Sequence, residues 1–194
     1  MNSTLSIDQH GIVAGVEFIA SPNHDERPSA QDICLIVIHN ISLPPGEYGG
    51  PGITQLFTNQ LDPATHPYYA AIHQLKVSAH FVIRRDGSLQ QFVACEARAW
   101  HAGVSSWQGR ERCNDFSIGI ELEGSDDEAF TAPQYQLLQT LLHRLISHYP
   151  IRDIVGHSDI APGRKTDPGP YFQWERLADL KASMEKTGNS GIDS

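Results

Sequence analysis

Between Gly156 and Pro170 the chain reads GHSDIAPGRKTDPGP, which places a histidine, a lysine and an aspartate in one Gly- and Pro-punctuated loop. His157 and Asp167 are ten residues apart, too far for one helical face but within reach of a loop folded back on itself. Lys165 stands two residues before Asp167, so its ammonium would sit beside whatever the other two hold. A neutral imidazole and a carboxylate are both ligand types that zinc accepts, and a catalytic zinc site needs a third ligand and an open position. His39, near the end of the apolar run ICLIVIHN (Ile33–Asn40), offers that third ligand. Taken singly, these groups have ordinary explanations: a hydrogen-bonded core histidine, or a solvated Lys/Asp pair of little energetic weight. Together they point to a metal site. Each follows or ends a strand-like segment, which is where ligands gather on α/β sheets.

A carboxylate stands in a further strand-like segment. Phe116–Leu122 (FSIGIEL) alternates, with Ser117, Gly119 and Glu121 on one face and Ile118, Ile120 and Leu122 on the other. The residues alone leave two readings of Glu121 open: an acid on a solvated strand face, or a general base beside a metal, tuned toward neutrality by desolvation. Ser117 and Gly119 are small, which leaves room for a ligand over that face. Glu123 continues the face and reads as an outer, solvated acid.

These groups need a scaffold, and the rest of the chain supplies its parts. Ile33–His39 has the composition of a strand buried on both faces. Ser78–Ile83 and Ser88–Val93 flank Asp86-Gly87, a hairpin signal. Gly46–Gly52 is a long turn, and Ile154–His157 a short strand leading into the histidine loop. Thr131–Tyr149 is the clearest helix: Thr131 serves as N-cap, Pro133 falls in the first turn, and the run stops before Pro150. Its stripe of Leu138, Leu141, Leu142, Leu145 and Ile146 would cover a sheet, leaving His143 and His148 on the surface. Trp174–Met184 reads as a closing helix. Strands interleaved with helices predict an α/β (α+β) fold, a central mixed β-sheet flanked by helices.

The 194 residues suit one domain spanning 1–194, with a core over roughly 15–185 and fraying in the first dozen residues and from Lys186 to Ser194. Hydrophobic content of 40% and charged content of 19% are those of an ordinary globular protein. A net charge of −9 argues against nucleic acid or an anionic membrane as partner. No apolar stretch has the length of a membrane span, and the N-terminus lacks the pattern of a signal peptide. Cys34, Cys95 and Cys113 are odd in number and widely spaced, which makes neither a disulfide framework nor a thiolate site. Cys34 reads as a small core residue, and the whole pattern predicts the cytoplasm.

The segments VIHNISLPPGEYGGP, VSAHFVIRRDG, RAWHAGVSSWQGRERCNDFSIGIELEG and GHSDIAPGRKTDPGP resemble the AmpD-type zinc amidases, the N-acetylmuramoyl-L-alanine amidases of type 2. Within that family the likeness is to the cytoplasmic recycling enzymes, and it covers roughly Gly15 to Trp174. The resemblance implies the fold shared by these amidases and peptidoglycan-recognition proteins, with one zinc on His39, His157 and Asp167 and no organic cofactor. It makes Glu121 the catalytic glutamate and Lys165 the catalytic lysine, and puts substrate contacts on Asn40, Trp100 and Arg112. Lys76 stands where close relatives tend to have arginine, so a carboxylate held there would lose a bidentate partner. His80 and His101 have no ligand role in this pattern and are expected to serve as hydrogen-bonding residues. The implied reaction is hydrolysis of the amide between 1,6-anhydro-N-acetylmuramic acid and L-alanine in small soluble muropeptides, by a monomer. An endolysin or autolysin acting on intact peptidoglycan and a non-catalytic muropeptide-binding module are the competing readings.

Overall fold

Runs of β-branched and aliphatic residues with no polar alternation can only be buried on both faces, and they form the parallel centre of the sheet. A computed structural model describes residues 5–29 and 32–189. In chain order its elements are β1 (Glu17–Phe18), β2 (His24–Glu26), β3 (Leu35–Ile41), α1 (Gly52–Phe57), α2 (Pro67–Ile72), β4 (Phe81–Ile83) and β5 (Leu89–Gln91). There follow β6 (Ala97–Ala99), β7 (Ser106–Trp107), β8 (Arg110–Glu111), β9 (Ser117–Glu123), α3 (Ala132–His148), β10 (Asp153–Gly156), α4 (His157–Ile160) and α5 (Ala178–Asn189). The main sheet has the order β1-β5-β4-β9-β3-β10. β3 runs parallel to both β9 and β10, β4 runs parallel to β9, and β4 and β5 form an antiparallel hairpin. The expected mixed sheet with flanking helices is thus borne out, including the hairpin at Asp86-Gly87.

Alternation divides the sheet into two faces. Ile36, Ile38, Ile118, Ile120 and Leu122 pack against Leu138, Leu141, Leu142 and Leu145 of α3, with Leu177 and Leu180 alongside. α3 begins with a complete capping box, in which Thr131 Oγ1 accepts from Gln134 N and the Gln134 side chain accepts from Thr131 N. Ile146 is half-buried at the edge of its stripe, and His143 and His148 are exposed. On the opposite face Leu35, Val37 and Val155 meet Ala102, Cys113, Phe116 and Ile160. That face also carries His39 and Glu121, near the carboxyl ends of β3 and β9.

Several expectations need correction. Cys34 is half-buried rather than a core residue. The closing helix starts with a 3-10 turn (Trp174–Leu177) before α5, which runs to Asn189 rather than ending at Met184. The fraying expected of Met1–Thr4 and Ser190–Ser194 lies outside the described residues. No described helix is long and apolar enough to cross a membrane.

The largest correction concerns Glu123, whose side chain is 2% exposed and paired with Arg84 at 3.1 Å. Its carboxylate also accepts from Gly49 N at 2.7 Å and Arg85 N at 3.2 Å. It is a buried anchor that ties the long turn after β3 to the hairpin. Glu123→Ala would leave a half-buried guanidinium short of its carboxylate and two backbone donors without their acceptor. It should lower unfolding free energy by about 3–5 kcal/mol, measured by chemical denaturation. A loss below about 1 kcal/mol would put the pair among weak surface bridges.

Candidate metal centre

Register brings the site together. In the parallel β3–β9 pair His39 stands opposite Glu121, and in the β3–β10 pair Gly156 stands opposite Ile38. His157, the next residue after β10, therefore emerges level with His39, at the carboxyl ends of adjacent parallel strands. The loop after α4 then folds back, with Ser158 N donating to Asp167 O at 2.9 Å. Three atoms converge as a result. His39 Nδ1 lies 2.9 Å from His157 Nδ1 and 3.0 Å from Asp167 Oδ2, and the latter two are 3.1 Å apart. Both histidines are buried, and Asp167 is partly so.

The donor set fits a cation. His157 Nε2 faces the carbonyl of Ala102 at 3.0 Å. A carbonyl only accepts, so the ring proton belongs on Nε2 and Nδ1 presents a bare lone pair. That lone pair and the Asp167 carboxylate are then two acceptors in contact, an arrangement that costs energy unless a cation or a donated proton sits among them. Two imidazole nitrogens and one carboxylate oxygen form a ligand set used by zinc. The Ala102 carbonyl is the kind of outer partner that fixes a ligating histidine. Burial lowers His39 to about 4, so this ring is neutral near pH 7, as a ligand must be.

Glu121 completes the arrangement. It is 8% exposed, and its Oε2 is buried without a hydrogen-bond partner among the described residues. Burial, reinforced by Asp167 and partly offset by Lys165, raises its pKa well above the ordinary glutamate range. Glu121 opens on a cavity of about 600 Å³ lined also by His39, Asn40, His157, Lys165 and Asp167. Asn40 donates to Asp126 Oδ1 at 2.7 Å and to Pro168 O at 3.1 Å, which anchors the loop bearing Asp167. Lys165 is exposed at the cavity wall.

Three expected substrate residues are not brought to that cavity. Lys76 is exposed between Leu75 and Val77, which do line it. Trp100 turns its indole N–H to Asp25 at 3.1 Å and braces β6 against β2. Arg112, whose side chain is 69% exposed, pairs with Asp115 at 3.2 Å. It lines an adjoining groove with Val104 and Arg164, and Arg164 reaches both spaces.

The sequence also leaves parts of the site unannounced. The room left over Ser117 and Gly119 holds no ligand, because the His101 ring fills it: a Cβ on Gly119 would lie 2.5 Å from His101 Cγ. His101 and His80 do have the expected hydrogen-bonding roles. His101 meets His39 and Ser117, and His80 Nδ1 accepts from Gly119 N at 3.0 Å. Burial and the neighbouring imidazoles hold His101 well below the ordinary histidine range. Asp126 and Arg164 have no spacing signal, since their partners lie 86 and 62 residues away.

Comparison with known proteins gives the family. The family described as N-acetylmuramoyl-L-alanine amidase matches residues 29–170. The chain is 56% identical over 181 residues to the 1,6-anhydro-N-acetylmuramyl-L-alanine amidase AmpD of Escherichia coli K12, covering 92% of this chain and 98% of the relative. A crystal structure of a selenomethionine AmpD derivative superposes with a TM-score of 0.86 at 56% identity, covering 90% of this chain and 98% of that one. The Escherichia coli N-acetylmuramyl-L-alanine amidase AmiD, solved with anhydro-N-acetylmuramic acid-L-Ala-D-γ-Glu-L-Lys, gives a TM-score of 0.58 at 30% identity over 89% of this chain and 64% of its own. With its fold, its converging donors and a family match over most of its length, the chain belongs to the N-acetylmuramoyl-L-alanine amidases.

Proposed function

We propose that this chain is a zinc amidase that hydrolyses the bond between 1,6-anhydro-N-acetylmuramic acid and L-alanine in soluble anhydromuropeptides, as part of cell-wall recycling. The observation that carries the reading is Glu121, a buried carboxylate with a bare oxygen, beside the convergent His39, His157 and Asp167. The substrate class is supported by the 56% identity to the Escherichia coli amidase named for that bond. The reading includes one zinc per chain and a single-domain monomer working in the cytoplasm.

His39, His157 and Asp167 would hold the zinc, which supplies a Lewis acid that polarises the amide carbonyl and makes water nucleophilic near neutral pH. Glu121 Oε2, free of other bonds, takes a proton from the attacking water and passes it to the departing amine of L-alanine. Its burial favours the protonated carboxyl, which makes it a strong enough base to accept that proton. Lys165 stabilises the oxygen that gains negative charge as the carbonyl is attacked. Asn40 keeps the Asp167 loop in place and edges the cavity. Arg112 and Lys76 are proposed to draw in stem-peptide carboxylates. Arg112 would do so from the groove it shares with Arg164, and Lys76 from the rim beside Leu75. The contacts of Trp100 support a bracing role at the site's border more than a direct grip on the sugar.

Metal analysis of the purified chain should find about one zinc per molecule. His39→Ala and Asp167→Ala should each lose most of it, and full occupancy in either variant would remove that residue from the ligand set. Glu121→Gln should keep zinc while turnover falls about 10²–10⁴-fold. Lys165→Ala should lower kcat with little change in KM, because its partner charge exists only in the transition state. A Lys165 variant altered in KM alone would make the lysine a binding group. Finally, soluble anhydromuropeptide should be cleaved far faster than intact sacculi, with both activities lost to a chelator. Equal rates on the two substrates would favour a wall-degrading amidase, and binding without cleavage would favour a recognition module.

A further inference from the structure

The ligand His39 has a second nitrogen, and what that nitrogen meets is unusual. His39 Nε2 lies 2.9 Å from Nδ1 of His101, with the two rings edge-on at 86° and their centroids 5.0 Å apart. Behind it, His101 Nε2 lies 3.0 Å from Ser117 Oγ. Among the described residues His101 is the hydrogen-bond partner that His39 Nε2 has, so the direction of this one bond decides which nitrogen of His39 carries the proton. We propose that His101 is a positioning residue for the metal centre: its Nδ1 accepts the Nε2 proton of His39 and thereby keeps Nδ1 of His39 bare and aimed at His157 and Asp167. The inference rests on the zinc reading above.

Two polarities of this chain of bonds satisfy the same distances. In the inward one, His39 Nε2–H donates to His101 Nδ1, and His101 Nε2–H donates to Ser117 Oγ. In the reverse one, the Ser117 hydroxyl donates to His101 Nε2, His101 Nδ1–H donates to His39 Nε2, and His39 must carry its proton on Nδ1, pointing at Asp167. Both hold the same number of protons and differ by the tautomers of two rings. Only the inward polarity offers a ligand, because a neutral imidazole has one lone pair free for a cation. His101 therefore makes the His39 lone pair available by accepting, a task usually given to a carbonyl or carboxylate. His157 is handled in that usual way by the Ala102 carbonyl.

The surroundings hold His101 to this place. Gly119 leaves the strand surface flat where the ring lies, since a Cβ there would come within 2.5 Å of His101 Cγ. Asn114 Oδ1 accepts from His101 N at 3.2 Å and Ala102 N at 2.8 Å, fixing the backbone from which the ring projects. The His80 ring borders it at 5.8 Å between centroids.

The test compares two replacements in the full chain, read by competition for zinc against a chromophoric chelator. His101→Leu fills the space with no acceptor and should weaken zinc binding by about 10–100-fold. His101→Asn keeps an amide oxygen near the place of Nδ1 and should recover most of that loss. Unchanged affinity in the Leu variant would overturn the proposal, as would an Asn variant as weak as Leu. The nitrogen resonances of the imidazoles in the unaltered, zinc-loaded protein give an independent answer, needed if His101→Leu does not fold. His101 protonated on Nε2 supports the inward polarity, and His101 protonated on Nδ1 overturns it. An unaltered chain that takes up no zinc would instead defeat the metal reading itself.

Discussion

Two imidazoles and a carboxylate within about 3 Å of one another in a buried place repel, once both rings present their lone pairs, unless something positive joins them. The rest of the molecule is arranged to hold them there. The parallel register of β3, β9 and β10 fixes the height at which His39, Glu121 and His157 stand. The α3 stripe and the apolar face beneath it supply the burial that keeps those strands from sliding. A slip of one residue would send His39 and Glu121 to the α3 face and bring isoleucines to the cavity. The register is therefore specified by hydrophobic patterning, and the chemistry inherits its geometry from packing.

A second layer of control comes from one dipeptide. The His101 side chain meets His39, and the Ala102 carbonyl receives both His157 Nε2 and Arg164 Nη2. Asn114 holds the two backbone amides of this dipeptide with one side-chain oxygen. Arg27, buried and lowered to about 10 by its desolvation, binds the carbonyls of Cys95, Asn114 and Ser117. Orientation of both His39 and His157 thus traces to a segment that contributes neither of them.

What the sequence disclosed and what it withheld follow one physical division. His39, Glu121, His157, Lys165 and Asp167 are chemically distinctive, the first three toward the carboxyl ends of strands and the last two in the loop that follows, so local pattern and resemblance could find them. The mixed sheet and α3 were equally legible, because alternation, the Thr131 cap and the leucine stripe are local signals. The function of His101 was not, since it depends on a ring lying over Gly119 and on partners up to 62 residues away. The resemblance makes Trp100 a substrate contact, yet a side chain's direction is set by its neighbours. Here Asp25, 75 residues earlier, takes the indole N–H. Cys34, read as core from its apolar run, precedes the first residue of β3 and so escapes the sheet's cover.

Glu121 and Glu123 bring these lines together. They share one strand, one face and nearly complete burial, and a sequence reading separates them in the wrong sense for Glu123. Glu123 is met by Arg84 and by two backbone amides, so its charge is compensated and it stabilises the fold. Glu121 keeps an oxygen with no hydrogen-bond partner among the described residues, an omission that costs about 1–3 kcal/mol in an ordinary buried acceptor. A fold selected for stability alone would have placed a donor there or replaced the residue with an apolar one. The uncompensated oxygen, placed opposite His39 in the register and facing the cavity, is strain retained where the proposed base would exchange its proton.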